Sequence, residues 1–205
     1  MSIIVVVKKA GKAVIAADTL HGFGSLNVTS TYNSGAEKIF KFKDSYFGTV
    51  GAPAHDAVLK HLLKKYKDQI VLGTKNEIFD SYLKIHRILK DEYFLNPVED
   101  DKHEYESSQI DGLIINRHGI FGLYSMREVY QFEKFWAIGS GMDNALGAMF
   151  AVYELFETAE QIAETGVRAA CEFDDGCGLP LTIHSVILDG EKSESRSEFL
   201  PKKKK

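Results

Sequence analysis

The chain has 205 residues, of which 44% are hydrophobic and 26% charged, the composition of a globular protein long enough to bury a large core. A formal net charge of −4 argues against a dedicated nucleic-acid binder, whose affinity would rest on neutralising phosphates. Two cysteines make no disulfide framework, no apolar run approaches the roughly 20 residues of a membrane span, and the opening run is too short for a signal peptide. The expectation is one domain over residues 1–205, cytoplasmic and reduced, with neither membrane nor nucleic acid as partner.

Residues 3–7, Ile-Ile-Val-Val-Val, are β-branched without polar alternation, which predicts a strand buried on both faces. Ala10-Gly11-Lys12 is a turn signal, and residues 13–17 form a second strand ending at Asp18, so the pair reads as a hairpin. The Gly-, Ser- and Thr-rich stretch 19–35 reads as loop with at most one short strand. Residues 38–43 alternate with period two, 43–45 turn the chain, and 46–50 form another strand. Pro53 stands at the first position of a helix, where its missing N–H costs little. Val58, Leu59, Leu62 and Tyr66 form the apolar stripe of that helix. Thr74 to Glu77 fits a capping box opening a second helix, with Ile78, Tyr82, Ile85 and Leu89 as its stripe. The acidic, Pro97-containing stretch 96–108 reads as an exposed excursion.

The second half repeats the pattern. Strands are predicted over 110–116, 120–124, 129–132 and 135–138. Gly139-Ser140-Gly141 breaks the run, an apolar helix is predicted over 144–156, and Thr158 to Gln161 caps another that runs to about Phe173. A last strand over 181–188 follows the loop 174–180. The tail 190–205 is polar, and its four lysines at 202–205 read as a solvated C-terminus. Strands, two helices, strands, two helices, strand is an α+β order. It predicts a four-layer αββα sandwich, two antiparallel sheets flanked by helices.

Familiar chemical motifs are missing. The seven histidines show no HxxxH pair and the cysteines no CxxC, so neither a metal nor a cofactor is expected. Ile138-Gly139-Ser140-Gly141-Met142 lacks the flanking glycines of a nucleophile elbow. Gly22-Phe23-Gly24 is followed by Asn27 where a dinucleotide fingerprint needs glycine. Ser2 is different. A methionine before a small residue is normally removed, which leaves Ser2 with a free α-amine at the edge of the core. Its hydroxyl is then a nucleophile, and its own amine, with an unperturbed pKa of about 8, a base.

Around that residue the chain resembles the proteasome β-type and HslV-like N-terminal-nucleophile hydrolases, with the β-proteobacterial proteasome homologue as the nearest branch. The resemblance runs from Ser2 to Leu188. It rests on Ser2 leading the hairpin that ends at Asp18, on Lys38-Ile39, and on Gly51-Ala52-Pro53-Ala54-His55-Asp56-Ala57. Ala137-Ile138-Gly139-Ser140-Gly141 and Asp174-Asp175-Gly176-Cys177-Gly178 complete it. The resemblance implies that Ser2 attacks a peptide carbonyl, that Lys38 eases deprotonation of its hydroxyl, and that Asp18 pairs with Lys38. It implies that Ser140 and Asp174, with Cys177 beside them, surround the terminal amine. A backbone N–H at Gly51 or Ala52 would be the oxyanion donor. It further implies a peptide or unfolded-protein substrate, a homo-oligomeric double ring of six or seven subunits per ring, and an ATP-dependent AAA+ unfoldase as a possible partner. The chain departs from the family in its serine nucleophile, in Cys177 where serine is usual, in Ala52-Pro53 in place of a glycine-containing pair, and in its acidic segment 99–106 and polar tail. These departures keep two alternatives open: a proteasome-like scaffold ring with little proteolysis, and a small-amide amidase on the same fold.

Overall fold

The computed structural model describes residues 2–98 and 104–190; Met1, the middle of the acidic excursion and residues 191–205 of the polar tail, its lysines included, lie outside them. β1 (Ile4–Lys9) and β2 (Lys12–Asp18) pair antiparallel from Ile4 opposite Ala17 to Lys9 opposite Lys12. Only Ala10 and Gly11 lie between them, at φ of 51° and 73°, the handedness of a two-residue hairpin whose twist matches the strands. The stretch predicted as loop with at most one short strand holds two, β3 (His21–Phe23) and β4 (Leu26–Val28), which pair as a hairpin. β5 (Ile39–Phe42) and β6 (Ser45–Val50) follow. Then come α1 (Pro53–Lys65) and α2 (Lys75–Tyr93), with Pro53 at the start of α1 and the full Thr74–Glu77 capping box at the start of α2. β7 (Asp111–Asn116), β8 (Gly119–Leu123), β9 (Val129–Phe132) and β10 (Phe135–Ile138) lead to α3 (Met142–Val152), α4 (Ala159–Phe173) and β11 (Leu181–Ile187).

The strands form a four-stranded sheet, β10-β1-β2-β11, and a five-stranded sheet, β5-β6-β7-β8-β9, both antiparallel, besides the β3-β4 pair. Ile4, Val6, Ile15 and Ala17 of the first sheet face Ile39, Leu113, Ile115 and Ile120 of the second. Ile3, Val5, Val7, Val14 and Ala16 point the other way, onto Ala145, Met149, Ile162 and Val167 of α3 and α4. The outer face of the second sheet packs Phe47, Ile114 and Phe121 on α1 and α2 through Leu59, Leu62, Ile78, Tyr82 and Ile85. This is the expected sandwich. It explains why the chain is apolar at every position from Ile3 to Val7, all of them fully buried. Each such side chain contributes about 1.5–3 kcal/mol.

Three further expectations need correction. α3 ends at Val152, short of Phe156, because the next residue is fastened to the first sheet. Tyr153 Oη donates to Lys8 O at 2.7 Å, and the Lys9 ammonium takes the Tyr153 carbonyl. The buried residues of α1 are Leu59, Leu62 and Leu63, with Val58 and Tyr66 at its margin. The excursion is not exposed to its end, since Ser107 and Ser108 are buried.

Candidate active site

Asp18 ends β2 and is fully buried, and its carboxylate is saturated. Oδ1 accepts from the Ile3 N–H at 3.0 Å and from Lys38 Nζ at 2.6 Å. Oδ2 accepts from the N–H groups of Leu20 and Gly178, each at 3.1 Å. The ion pair is dry: the Lys38 side chain is 6% exposed and that of Asp18 not at all. Breaking such a pair by removing one partner costs about 3–5 kcal/mol. One carboxylate therefore ties together the residue after Ser2, the second sheet through Lys38, and the loop after α4.

Ser2 stands two residues before β1. Its N–H donates to Ser140 Oγ at 3.2 Å, and Ser140 Oγ donates to Asp174 Oδ1 at 3.0 Å. Asp174 caps the C-terminus of α4 and also accepts from the Gly176 N–H at 2.8 Å. Ser140 is aimed by its neighbours. Gly139 sits at φ 107°, and a Cβ there would collide with the Ser2 carbonyl, while the Gly141 N–H donates to that carbonyl at 3.4 Å. Cys177 Sγ lies 4.0 Å from Ser140 Oγ. Burial, then the charges of Asp18 and Asp174, push its thiol up to about 12, so it stays neutral at physiological pH and meets Ser140 as a weak hydrogen-bonding group.

Gly51 turns β6 into α1 at φ 115°, a conformation that strains any residue with a Cβ. Ala52, the α1 N-cap, follows without a side-chain cap. Gly51 and Ala52 line one cleft with Ser2 and Lys38, a cavity of about 110 Å³ at the positive end of the α1 dipole. The structure thus brings together Ser2, Asp18, Lys38, Ser140, Asp174 and Cys177 from four separate stretches, with Gly51 and Ala52 opposite. The sequence reading missed the other cleft walls: Leu20, His21, Glu37, Thr49, Val50 and Asp56. Glu37 adjoins Lys38 and Asp56 lies in the quoted α1 loop. Nothing in the sequence marks His21 or Thr49, which the hairpin and the sheet bring in.

A second polar cluster lies elsewhere. Ser108 Oγ is 2.9 Å from His86 Nδ1, and His86 Nε2 is 3.1 Å from Glu106 Oε2, which also receives Lys90 Nζ at 2.6 Å. Ser108 is fully buried, and none of the three lines the cleft. Among the described residues no group of three or more His, Cys, Asp or Glu is placed to hold a metal ion, and no helix is long and apolar enough to cross a membrane.

No family model and no curated protein matches the chain. Solved structures do. Thiobacillus denitrificans BPH in complex with epoxomicin is 36% identical, with a TM-score of 0.85 over 92% of this chain and 100% of that one. A second structure of Thiobacillus denitrificans BPH is 38% identical, with a TM-score of 0.84 over 91% and 98%. HslV from Trypanosoma brucei, at 18% identity and a TM-score of 0.69 over 90% and 99%, shares the fold.

Proposed function

The chain belongs to the family of Thiobacillus denitrificans BPH, a bacterial proteasome homologue among the N-terminal-nucleophile hydrolases, and from that premise we propose that it hydrolyses peptide bonds through Ser2 once Met1 is removed. The observation that carries this reading is the convergence on Ser2 of two polar chains. Lys38 shares the cleft with Ser2 and is paired with Asp18, which also holds the N–H of the residue after Ser2, while Ser140–Asp174 meets the backbone nitrogen of Ser2.

In this mechanism the freed α-amine takes the proton of the Ser2 hydroxyl, while the Lys38 ammonium lowers the cost of the developing alkoxide. Ser2 Oγ attacks the substrate carbonyl. The oxyanion is met by a backbone N–H at Gly51 or Ala52 and by the N-terminus of α1. The amine returns its proton to the leaving nitrogen, leaving an acyl-enzyme, and then activates the water that releases the acyl group. Ser140, already directed at Asp174, holds the amine in place. Pro53 at the first helical position offers no N–H, so at the turn itself the backbone donors are those of Gly51 and Ala52.

The reading extends to a homo-oligomeric ring enclosing the cleft in a closed chamber, in the cytoplasm, fed with peptides or unfolded protein and open to an ATP-dependent unfoldase. The epoxomicin complex of the relative, a peptide epoxyketone bound to BPH, supports the same chemistry at Ser2. The test is turnover of a peptide library with sedimentation of the same samples. Ser2→Ala and Lys38→Ala abolish hydrolysis while the assembly keeps its size. Unchanged turnover in both variants would contradict the proposal, and assembly without hydrolysis by the unaltered protein would favour the scaffold ring.

A further inference from the structure

We infer that a groove between β5 and α1, outside the cleft, holds an acidic stretch of the polypeptide substrate; this rests on the peptidase reading above. Phe40, Phe42 and Leu63 are the apolar part of this groove, a cavity of about 330 Å³, and five lysines complete its lining: Lys41, Lys43, Lys60, Lys64 and Lys67. No carboxylate joins them, in a chain whose Asp and Glu outnumber its Lys and Arg 29 to 25. Elsewhere the surface cations are paired. Lys65, next to Lys64 on α1, meets Glu92 at 2.6 Å, and Lys134 meets Glu154 at 2.8 Å. Lys41, Lys64 and Lys67 are exposed, and among the described residues none of them has a carboxylate partner. Lys60 meets Asp56 at 2.8 Å and lies over the Phe40 ring, and Lys43 gives one hydrogen to Ile70 O and lies over the Phe42 ring. The helix dipole accounts for Lys64 at the end of α1, and a lysine on an edge strand discourages stray pairing. Neither accounts for cations from a strand and a helix converging on one cavity.

Both walls of the groove begin at the cleft. β5 follows Lys38 and α1 follows Ala52, and both of those residues line the cleft. Lys41 lies three residues beyond Lys38, and Lys60 seven beyond Pro53, which is about 10 Å along a strand and along a helix alike. Lys43 and Lys64 follow at about 17 Å on the same scales. A further cavity lies between, sharing Phe40, Lys41 and Lys60 with the groove and Glu37 with the cleft. An extended polypeptide covers 10–17 Å in about three to five residues. β5 is also the outer strand of its sheet, so one row of its N–H and C=O groups is paired by no strand among the described residues. An extended segment can add there through its main chain, and its carboxylates then meet the lysines. Lysine is a compact charge with rotatable donors, so the groove suits a run of Asp or Glu without a fixed order.

The test uses fluorescein-labelled peptides with one common uncharged centre of about six residues, the length set by that spacing. Blocks of glutamate, glutamine or lysine flank the centre on both sides. Equilibrium binding is read by fluorescence anisotropy on the assembled Ser2→Ala protein, and hydrolysis on the unaltered protein. An exposed ion pair is worth a factor of about 1.4 to 5, so three of them make the glutamate peptide bind about tenfold tighter than the glutamine peptide. The lysine peptide binds weakest, and added salt narrows the gap. Lys64→Glu with Lys67→Glu, both at exposed positions, brings the glutamate-to-glutamine ratio to within about twofold. Lys64→Gln with Lys67→Gln narrows it less. Hydrolysis of the bare centre, too short to reach the groove, stays the same in both variants. Equal binding of the glutamate and glutamine peptides, no binding of any, or a glutamate preference that survives the double reversal would overturn the inference. So would a double reversal that splits the assembly and leaves the ratio alone, since the groove would then hold a second copy. Acid-selective binding without hydrolysis by the unaltered protein would uphold the groove and sink the peptidase reading. Hydrolysis without that selectivity would do the reverse.

Discussion

Two polar clusters in this molecule invite comparison. His86, Ser108 and Glu106 have the distances of a Ser–His–carboxylate triad, 2.9 Å and 3.1 Å, yet Ser108 is fully buried and does not line the cleft beside Ser2. Ser2, Asp18 and Lys38 contain no histidine, but Ser2 and Lys38 line an open cavity beside the N-terminus of a helix. Hydrogen-bond distances among the right residue types do not make a hydrolytic site; the nucleophile must also be reachable, with a donor where negative charge develops. The cluster instead fastens α2 to the end of the excursion, where the Ser108 N–H also donates to Ser125 O at 2.7 Å.

The largest contrast comes from the two serines. Ser2→Ala lowers kcat by at least about a thousandfold, the scale expected when a nucleophile is removed, whereas Ser108→Ala leaves peptide turnover intact. A loss in Ser108→Ala without loss in Ser2→Ala would reverse the comparison. Next in size is Asp18→Ala. It strands the Lys38 ammonium and three backbone N–H groups, so the urea midpoint falls by the equivalent of about 3–5 kcal/mol and turnover is lost. Gly139→Ala should leave more of the fold intact but push the Ser2 carbonyl aside. A displacement on the order of 1 Å costs about a hundredfold in kcat.

The second cluster predicts smaller effects, on stability alone. Ser108→Ala leaves His86 Nδ1 without its partner and costs about 1–3 kcal/mol. Glu106 titrates below the usual carboxylate range because Lys90, and then His86, hydrogen-bond its ionised form. A lowered folded-state value means that its contribution is present above the unfolded range and fades as pH falls through the folded one. The urea midpoints of the unaltered protein and Glu106→Gln should therefore differ at neutral pH and converge in acid. A difference that grows in acid would show that the carboxylate is not what Lys90 and His86 hold.

The layered fold was legible because its signals are local. A five-residue β-branched run can be satisfied only between two layers, and β9 and β10 run over 129–132 and 135–138 as read. The capping threonines mark α2 and α4 because their hydroxyls accept the N–H three residues on. What escaped depends on contacts across the chain. α3 stops where Tyr153 is held by Lys8 and Lys9, residues 145 and 144 positions away. The β3-β4 hairpin is three residues on each side and too short for a periodic pattern. At the site, the residues singled out from the family resemblance do converge. Residue type and spacing alone would have left Lys38 indistinguishable from Lys41 and Lys43 on the same alternating stretch. Other cleft walls, His21 and Thr49 among them, belong to no motif; the β3-β4 hairpin and the second sheet set them there.

The central claim is that Ser2 is a processed, reachable nucleophile. The direct measurement is the intact mass of the protein after incubation with a peptide epoxyketone, which captures a hydroxyl and an adjacent free amine together. The account predicts a mass lacking Met1 and carrying one adduct, absent from Ser2→Ala. A mass that retains Met1, or one that lacks it and gains no adduct, would contradict it.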